Sequence, residues 1–134
     1  MMHLDTSFLV DLLREHAHRQ PARATAFLEE NAGEPLRVGI HAVCELYAGA
    51  ELAREAAAER RRVRRLCAAL DVTYPDDRFP LVYGRILATL ERAGQRIGSM
   101  DLLIATAALV DAAPVVTRNV QDFSRVPGLE VVTY

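Results

Sequence analysis

Short strand-like runs at 2–4, 36–40, 71–74, 115–117 and 129–133 are separated by segments whose apolar residues recur at helical spacing. That alternation restricts the fold more than any other feature of the chain. No Asn-Gly or comparable two-residue turn joins two of the runs, so they do not read as hairpins. Strands connected through helices lie parallel, in a sheet covered by helices on both faces. The expectation is one α/β domain over residues 1–134, with a mostly parallel central sheet of four to five short strands flanked by helices. A chain of 134 residues, 51% of them hydrophobic, is large enough to bury a core without staples.

The first unit sets the pattern. Residues 2–4 form a short apolar run that ends at Asp5, and Thr6 and Ser7 are natural helix N-caps. Phe8, Leu9, Leu12 and Leu13 then share one helix face. Pro21 predicts the first turn of a second helix reaching about Asn31, broken by Gly33-Glu34-Pro35. A helix is expected over Ala42–Ala53, with Val43, Leu46, Tyr47 and Ala50 on one stripe and Glu45 off it, and the helical pattern continues over 54–70. Pro80 opens another helix and Gly94 ends it. Ser99 reads as the N-cap of the next, with Asp101 in its first turn, and Val120–Ser124 as a single helical turn.

The formal net charge of −2 offers no whole-molecule attraction for nucleic acid, so a polyanion has to be met locally. Five arginines fall between Arg60 and Arg65, and Arg61, Arg62 and Arg65 share a helix face. That face is a solvated surface, an RNA contact or a dock for an acidic peptide. Cys44 and Cys67 lie in helical patterns without metal-ligand spacing and read as small buried hydrophobes of a reduced, cytoplasmic protein. No basic and then apolar leader opens the sequence, and the longest charge-free run, Leu102–Val110, is half a membrane span, so no membrane association is expected. Asp11 and Glu15 read as solvated, with Asp11 able to meet a partner's arginine. His3, His16 and His18 show no metal spacing.

Four carboxylates fall at element ends: Asp5 after the first strand, Glu45 early in its helix, Asp101 at a helix start and Asp122 after a late strand. Any one of them alone is ordinary capping chemistry. Asp5, however, sits between apolar residues at the end of what should be the central strand, where a bare carboxylate is costly. Asp101 precedes an almost charge-free helix. Carboxylates that converge repel, so one protonates or a cation is recruited. An all-oxygen set without His or Cys favours a hard ion, Mg²⁺ or Mn²⁺, held largely through waters. The commonest role of such an ion in an acidic crevice is phosphodiester chemistry.

These pieces resemble the PIN-domain ribonucleases, specifically the VapC-type toxins of bacterial toxin–antitoxin pairs. The resemblance is carried by Leu4-Asp5-Thr6-Ser7, by Glu45-Leu46 with Gly49-Ala50, and by Ile97-Gly98-Ser99-Met100-Asp101 leading into Leu102-Leu103-Ile104-Ala105. Val116-Thr117-Arg118-Asn119 with Asp122-Phe123 follows, closed by Val126-Pro127-Gly128-Leu129-Glu130-Val131. Together they span nearly the whole chain in the family's order. The resemblance implies a single PIN domain whose metal-binding and catalytic quartet is Asp5, Glu45, Asp101 and Asp122. Thr6, Ser7, Thr117 and Asn119 would support that pocket. Some relatives place an Asp where Asn119 stands, so either Asn119 or Asp122 occupies the fourth slot. His41 stands where relatives carry a Ser or Thr cap, and is read as exposed, ahead of a weaker cap or a substrate contact.

What the resemblance implies in function is a Mg²⁺- or Mn²⁺-dependent endoribonuclease toxin, with RNA as substrate, neutralised by a cognate VapB-type antitoxin and commonly a homodimer. Arg118 and Arg125, beside the last acid, are the favoured phosphate contacts. The alternative is a catalytically silent PIN-like binding module that holds RNA or a partner peptide in its acidic pocket. A phosphotransferase using Asp5 as nucleophile is disfavoured: Ser7 stands where a second acid belongs, and the chain contains no lysine.

Overall fold

The computed structural model describes residues 1–134. The strands are β1 (Met2–Leu4), β2 (Leu36–Gly39), β3 (Asp71–Thr73), β4 (Val115–Val116) and β5 (Val131–Val132). Between them run helices α1 (Thr6–Ala17), α2 (Arg23–Glu30), α3 (Ile40–Leu52), α4 (Ala56–Ala68), α5 (Phe79–Arg92), α6 (Ser99–Val110) and the single turn α7 (Val120–Phe123). The sheet order is β3-β2-β1-β4-β5 and every pairing is parallel. β1 is central: His3 pairs with Arg37 on one side and with Val115 on the other. Chain order runs outward from β1 to β2 and β3, then crosses back to β4. The carboxyl ends of β1 and β4 therefore frame the switch point where open α/β sheets keep their crevice.

A strand with neighbours on both edges and helices on both faces has to be buried throughout, and Met2, His3, Leu4 and Asp5 all are. Leu4, Phe8, Leu9, Val38, Val115, Val116 and Phe123 join the two sheet faces to the helices in one core. α6 is buried along most of its length, and its one polar interior side chain, Thr106, donates its hydroxyl to the Leu102 carbonyl at 2.7 Å. Gly39 lets α6 come close to β2, because a Cβ there would stand 3.3 Å from that of Ala107.

Several boundaries differ from expectation for local reasons. Asp5, in extended conformation, caps α1, so Thr6 and Ser7 are its first helical residues and not its caps. Likewise Gly98, not Ser99, is the N-cap of α6. α3 takes over Ile40 and starts two residues before Ala42, while extended backbone at Ala53 separates it from α4, although the sequence pattern runs on without a break. α2 begins at Arg23, after Pro21, because the Glu15 carboxylate gathers the backbone N–H groups of Ala22, Thr25 and Ala24 at 2.7, 3.0 and 3.1 Å. Glu15 is thus a cap and not a solvated charge. Although burial pushes its carboxyl up, the N–H bonds from Thr25, Ala22 and Ala24 win and hold it below the ordinary range. Cys44 is exposed on α3, against the reading of both cysteines as buried, and Cys67 is half-buried. No helix is long and apolar enough to cross a membrane.

Candidate active site

Asp5 is delivered by β1 to the bottom of the crevice and is only 3% exposed. Its Oδ2 accepts the Ser7 hydroxyl at 2.8 Å and the Thr117 hydroxyl at 2.7 Å. Both hydroxyl oxygens are themselves oriented by the turn after β4. Arg118 N–H donates to Ser7 Oγ at 3.0 Å, and Asn119 N–H to Thr117 Oγ1 at 2.9 Å. Ser7 is free to make these bonds because it is not the N-cap: as a helical residue it faces the β4 turn. A carboxylate in an apolar interior is tolerable only when its oxygens are satisfied, and here one oxygen is, while the other accepts nothing from the protein.

The remaining acids come from three further elements. Glu45, on α3, accepts the Thr6 hydroxyl at 2.6 Å, which ties the start of α1 to α3. Asp101 lies in the first turn of α6, where the helix N-terminus favours negative charge. Asn119 stands between the last two acids, its amide donating at 3.1 Å to Asp101 Oδ2 and at 3.1 Å to Asp122 Oδ2. The geometry gives Asn119 the part of a spacer bridging two carboxylates, while Asp122 brings the negative charge. Four segments far apart in sequence thus meet at one end of the sheet.

Their mutual repulsion is visible at Asp101. Burial, and then the charges of Asp5, Asp122 and Glu45, push its carboxyl from 3.8 up to about 6, against the one opposing hydrogen bond from Asn119. The closest cation is Arg125, which is 3.8 Å from Asp122 Oδ1 and spends its hydrogen bond on the Arg96 carbonyl at 2.8 Å. No group of three or more His, Cys, Asp or Glu side chains is drawn tightly enough to clasp an ion directly. The four acids thus converge with one arginine at their edge.

Residues 2–129 match the PIN domain family. The chain belongs to that family. Ribonuclease VapC1 of Haemophilus influenzae (strain R2866) is 29% identical over 127 residues, which make up 95% of this chain and 92% of that protein. Among solved structures, VapBC2 from Rickettsia felis, bound to a DNA fragment from its promoter, aligns with a TM-score of 0.90 at 25% identity, covering 100% of this chain and 99% of that one. DNA-bound VapBC from Salmonella typhimurium aligns with a TM-score of 0.89 at 25% identity, covering 98% and 96% of the two chains.

Around the acids of this PIN domain the arginines divide. Arg118 lies between Thr117 and Asn119, with its guanidinium on Asp11 Oδ1 at 2.8 Å, and Arg125 borders Asp122. Arg61, Arg62 and Arg65 are not brought to the pocket. Arg62 pairs with Glu59, and Arg62 and Arg65 border a cavity floored by Leu12, Leu13, Leu28 and Leu66 between α1, α2 and α4. Asp11 is not solvated, since its Oδ2 also accepts the Tyr134 hydroxyl at 2.6 Å. Burial and that carboxylate hold the Tyr134 phenol well above its usual range.

One histidine departs from its sequence reading and another gains a buried partner. His41 is not simply exposed: its ring packs on Phe79 with centroids 5.5 Å apart, its Nδ1 is buried without a partner, and burial pushes the imidazole down. His3 is 1% exposed and its Nε2 lies 2.6 Å from Asp111 Oδ2, which also accepts from Arg37. The signal for His3 is its position, inside an apolar strand that had to be central.

Proposed function

We propose that this PIN domain is a metal-dependent endoribonuclease of the VapC type, hydrolysing RNA phosphodiesters at the pocket formed by Asp5, Glu45, Asp101 and Asp122. The observation that carries the reading is the concentration of carboxylate there: burial and three neighbouring acids raise Asp101 to about 6, and the one arginine beside the four, Arg125, stands 3.8 Å from Asp122 alone. Oxygen donors without His or Cys fit Mg²⁺ or Mn²⁺, and their looseness fits an ion that keeps several of its waters. A divalent ion bound there supplies a water of lowered pKa and offsets charge at the phosphorus.

The chain's own residues do the rest. Asp5, immobilised through Oδ2 by two hydroxyls, offers its other oxygen as a fixed ligand. Glu45 is oriented by Thr6, and Asp101 and Asp122 are held apart by the Asn119 amide. Arg118 and Arg125 at the rim meet the phosphates that flank the scissile bond. The kinship to VapC1 and the likeness to VapBC complexes support a VapB-type antitoxin as the natural restraint. The arginines of α4, placed away from the acids and beside an apolar cavity, suit contact with an acidic partner better than contact with the reacting phosphate.

The test is cleavage of transfer, ribosomal and messenger RNA by the purified chain, free of antitoxin, with Mg²⁺, Mn²⁺ or EDTA, beside Asp5→Asn and Asp101→Asn. Cleavage that requires the metal and disappears in both variants is the expected result. Binding of RNA without cleavage, unchanged in Asp5→Asn, would favour the silent binding module.

A further inference from the structure

We propose that Asp11 is a positioning residue that parks the Arg118 guanidinium at the rim of the acidic pocket and keeps it out of the cation site, an inference that rests on the metal-dependent reading above.

Arg118 is flanked in sequence by two residues that touch the acids: Thr117 bonds Asp5, and Asn119 bonds Asp101 and Asp122. An exposed guanidinium anchored at that point, beside four carboxylates met by a single long ion pair from Arg125 to Asp122, is drawn inward by their combined field. In the structure it turns the other way. Its NH1 donates to Asp11 Oδ1 at 2.8 Å, on α1 one helical turn beyond Ser7, and makes no ion pair with any pocket acid. The two partners differ in freedom: the Asp11 side chain is 15% exposed and the Arg118 side chain 58%. Asp11 is the fixed member. Its second oxygen accepts the Tyr134 hydroxyl at 2.6 Å, and Tyr134 is itself packed edge-on against Phe8, with ring centroids 4.8 Å apart. Arg14, at 3.4 Å, is a weaker second cation on the same carboxylate.

The arrangement resolves a conflict built into the turn after β4. A cation near the pocket helps to receive an RNA phosphate, yet the same cation inside it would cancel the potential that holds a divalent ion. An immobile carboxylate outside the pocket keeps the guanidinium where it serves the first purpose without defeating the second. Removing the charge of Asp11 releases Arg118 to fold onto Asp122 or Asp101, and the cation site loses affinity.

The experiment is a double-mutant cycle on Mn²⁺ binding by the full chain, read by electron paramagnetic resonance at low salt after stripping with EDTA. Asp11→Asn keeps the shape of the side chain and should weaken Mn²⁺ binding about tenfold, whereas Asp11→Asn/Arg118→Ala should lie within about twofold of Arg118→Ala alone. The same loss with and without Arg118 would mean only that a distant negative charge had gone, and would overturn the inference, as would no loss at all. Tyr134→Phe leaves the carboxylate charged and should preserve Mn²⁺ affinity even where it lowers stability. A tenfold loss there would assign the effect to packing and also overturn the inference. Wild-type chain that binds no Mn²⁺ would sink the metal reading along with it, whereas wild-type binding with additive variants would sink the inference alone.

Discussion

Replacing Asp101 should remove activity and at the same time stabilise the metal-free protein. Its carboxyl is raised from 3.8 to about 6 by burial and by Asp5, Asp122 and Glu45. An acid whose folded pKa lies above its unfolded value holds its proton more tightly in the folded state. Its ionisation therefore works against folding: the penalty is absent below about pH 4, grows between about pH 4 and 6, and is complete above about pH 6. A shift of about two pH units corresponds to ~3 kcal/mol at full strength. Because Asp101 is only half-buried and solvent screens part of the repulsion, about half of that, ~1–1.5 kcal/mol, is the realistic effect. Asp101→Asn removes the charge while keeping an oxygen to accept the Asn119 amide. In EDTA at pH 7.5 it should raise the urea-unfolding free energy by that amount and Tm by about 2–6 °C. At about pH 3.5 the two proteins should converge. Saturating Mn²⁺ should reverse the order at neutral pH, since the wild-type pocket binds the ion better and binding to the native state adds stability. A variant less stable than wild type in EDTA at pH 7.5, or an advantage that does not shrink in acid, would refute the electrostatic account of the pocket.

Other expectations follow from single contacts. Glu15→Ala should cost about 1 kcal/mol in chemical denaturation, by stripping the cap from α2, and should leave RNA cleavage untouched, since α2 does not reach the acids. Thr117→Val should cost ~1–3 kcal/mol and depress cleavage strongly, because the buried Asp5 loses a hydroxyl donor; unchanged turnover would show that Ser7 alone suffices. Gly39→Val should destabilise by ~1–3 kcal/mol in thermal unfolding, since its side chain would enter space already taken by Ala107.

The strands, their parallel arrangement and the central place of β1 are legible in the chain because they rest on composition and periodicity. A run such as Met2-His3-Leu4, followed at once by Asp5 and a helical stripe, has few other uses. Asp5 and Asp101 are legible for a related reason: each interrupts or opens a segment that otherwise reads as buried, whereas Glu45 and Asp122 are singled out by the family resemblance. The ends of helices are less legible. Ser99 looks like a better cap than Gly98, yet the cap is decided by which residue holds extended backbone as the helix begins. Cys44 falls in a helical pattern, but its exposure depends on which sides of α3 receive α1, α4 and α6.

The division between sequence and tertiary structure is sharpest inside the pocket. By itself the sequence determined the inventory: four carboxylates, two hydroxyls after Asp5, one threonine and one amide after β4, and no lysine to neutralise them. It also determined the class of fold that carries them, because burial patterns and helix periods act over a few residues. The pairings came from the folded chain, since they join positions as far apart as Asp5 and Thr117, or Asp11 and Tyr134. It gave Asn119 the place between Asp101 and Asp122 and turned Arg118 outward to Asp11. Hydrogen bonds and charges act within a few ångströms, and which groups come within that range is set by sheet order and helix packing.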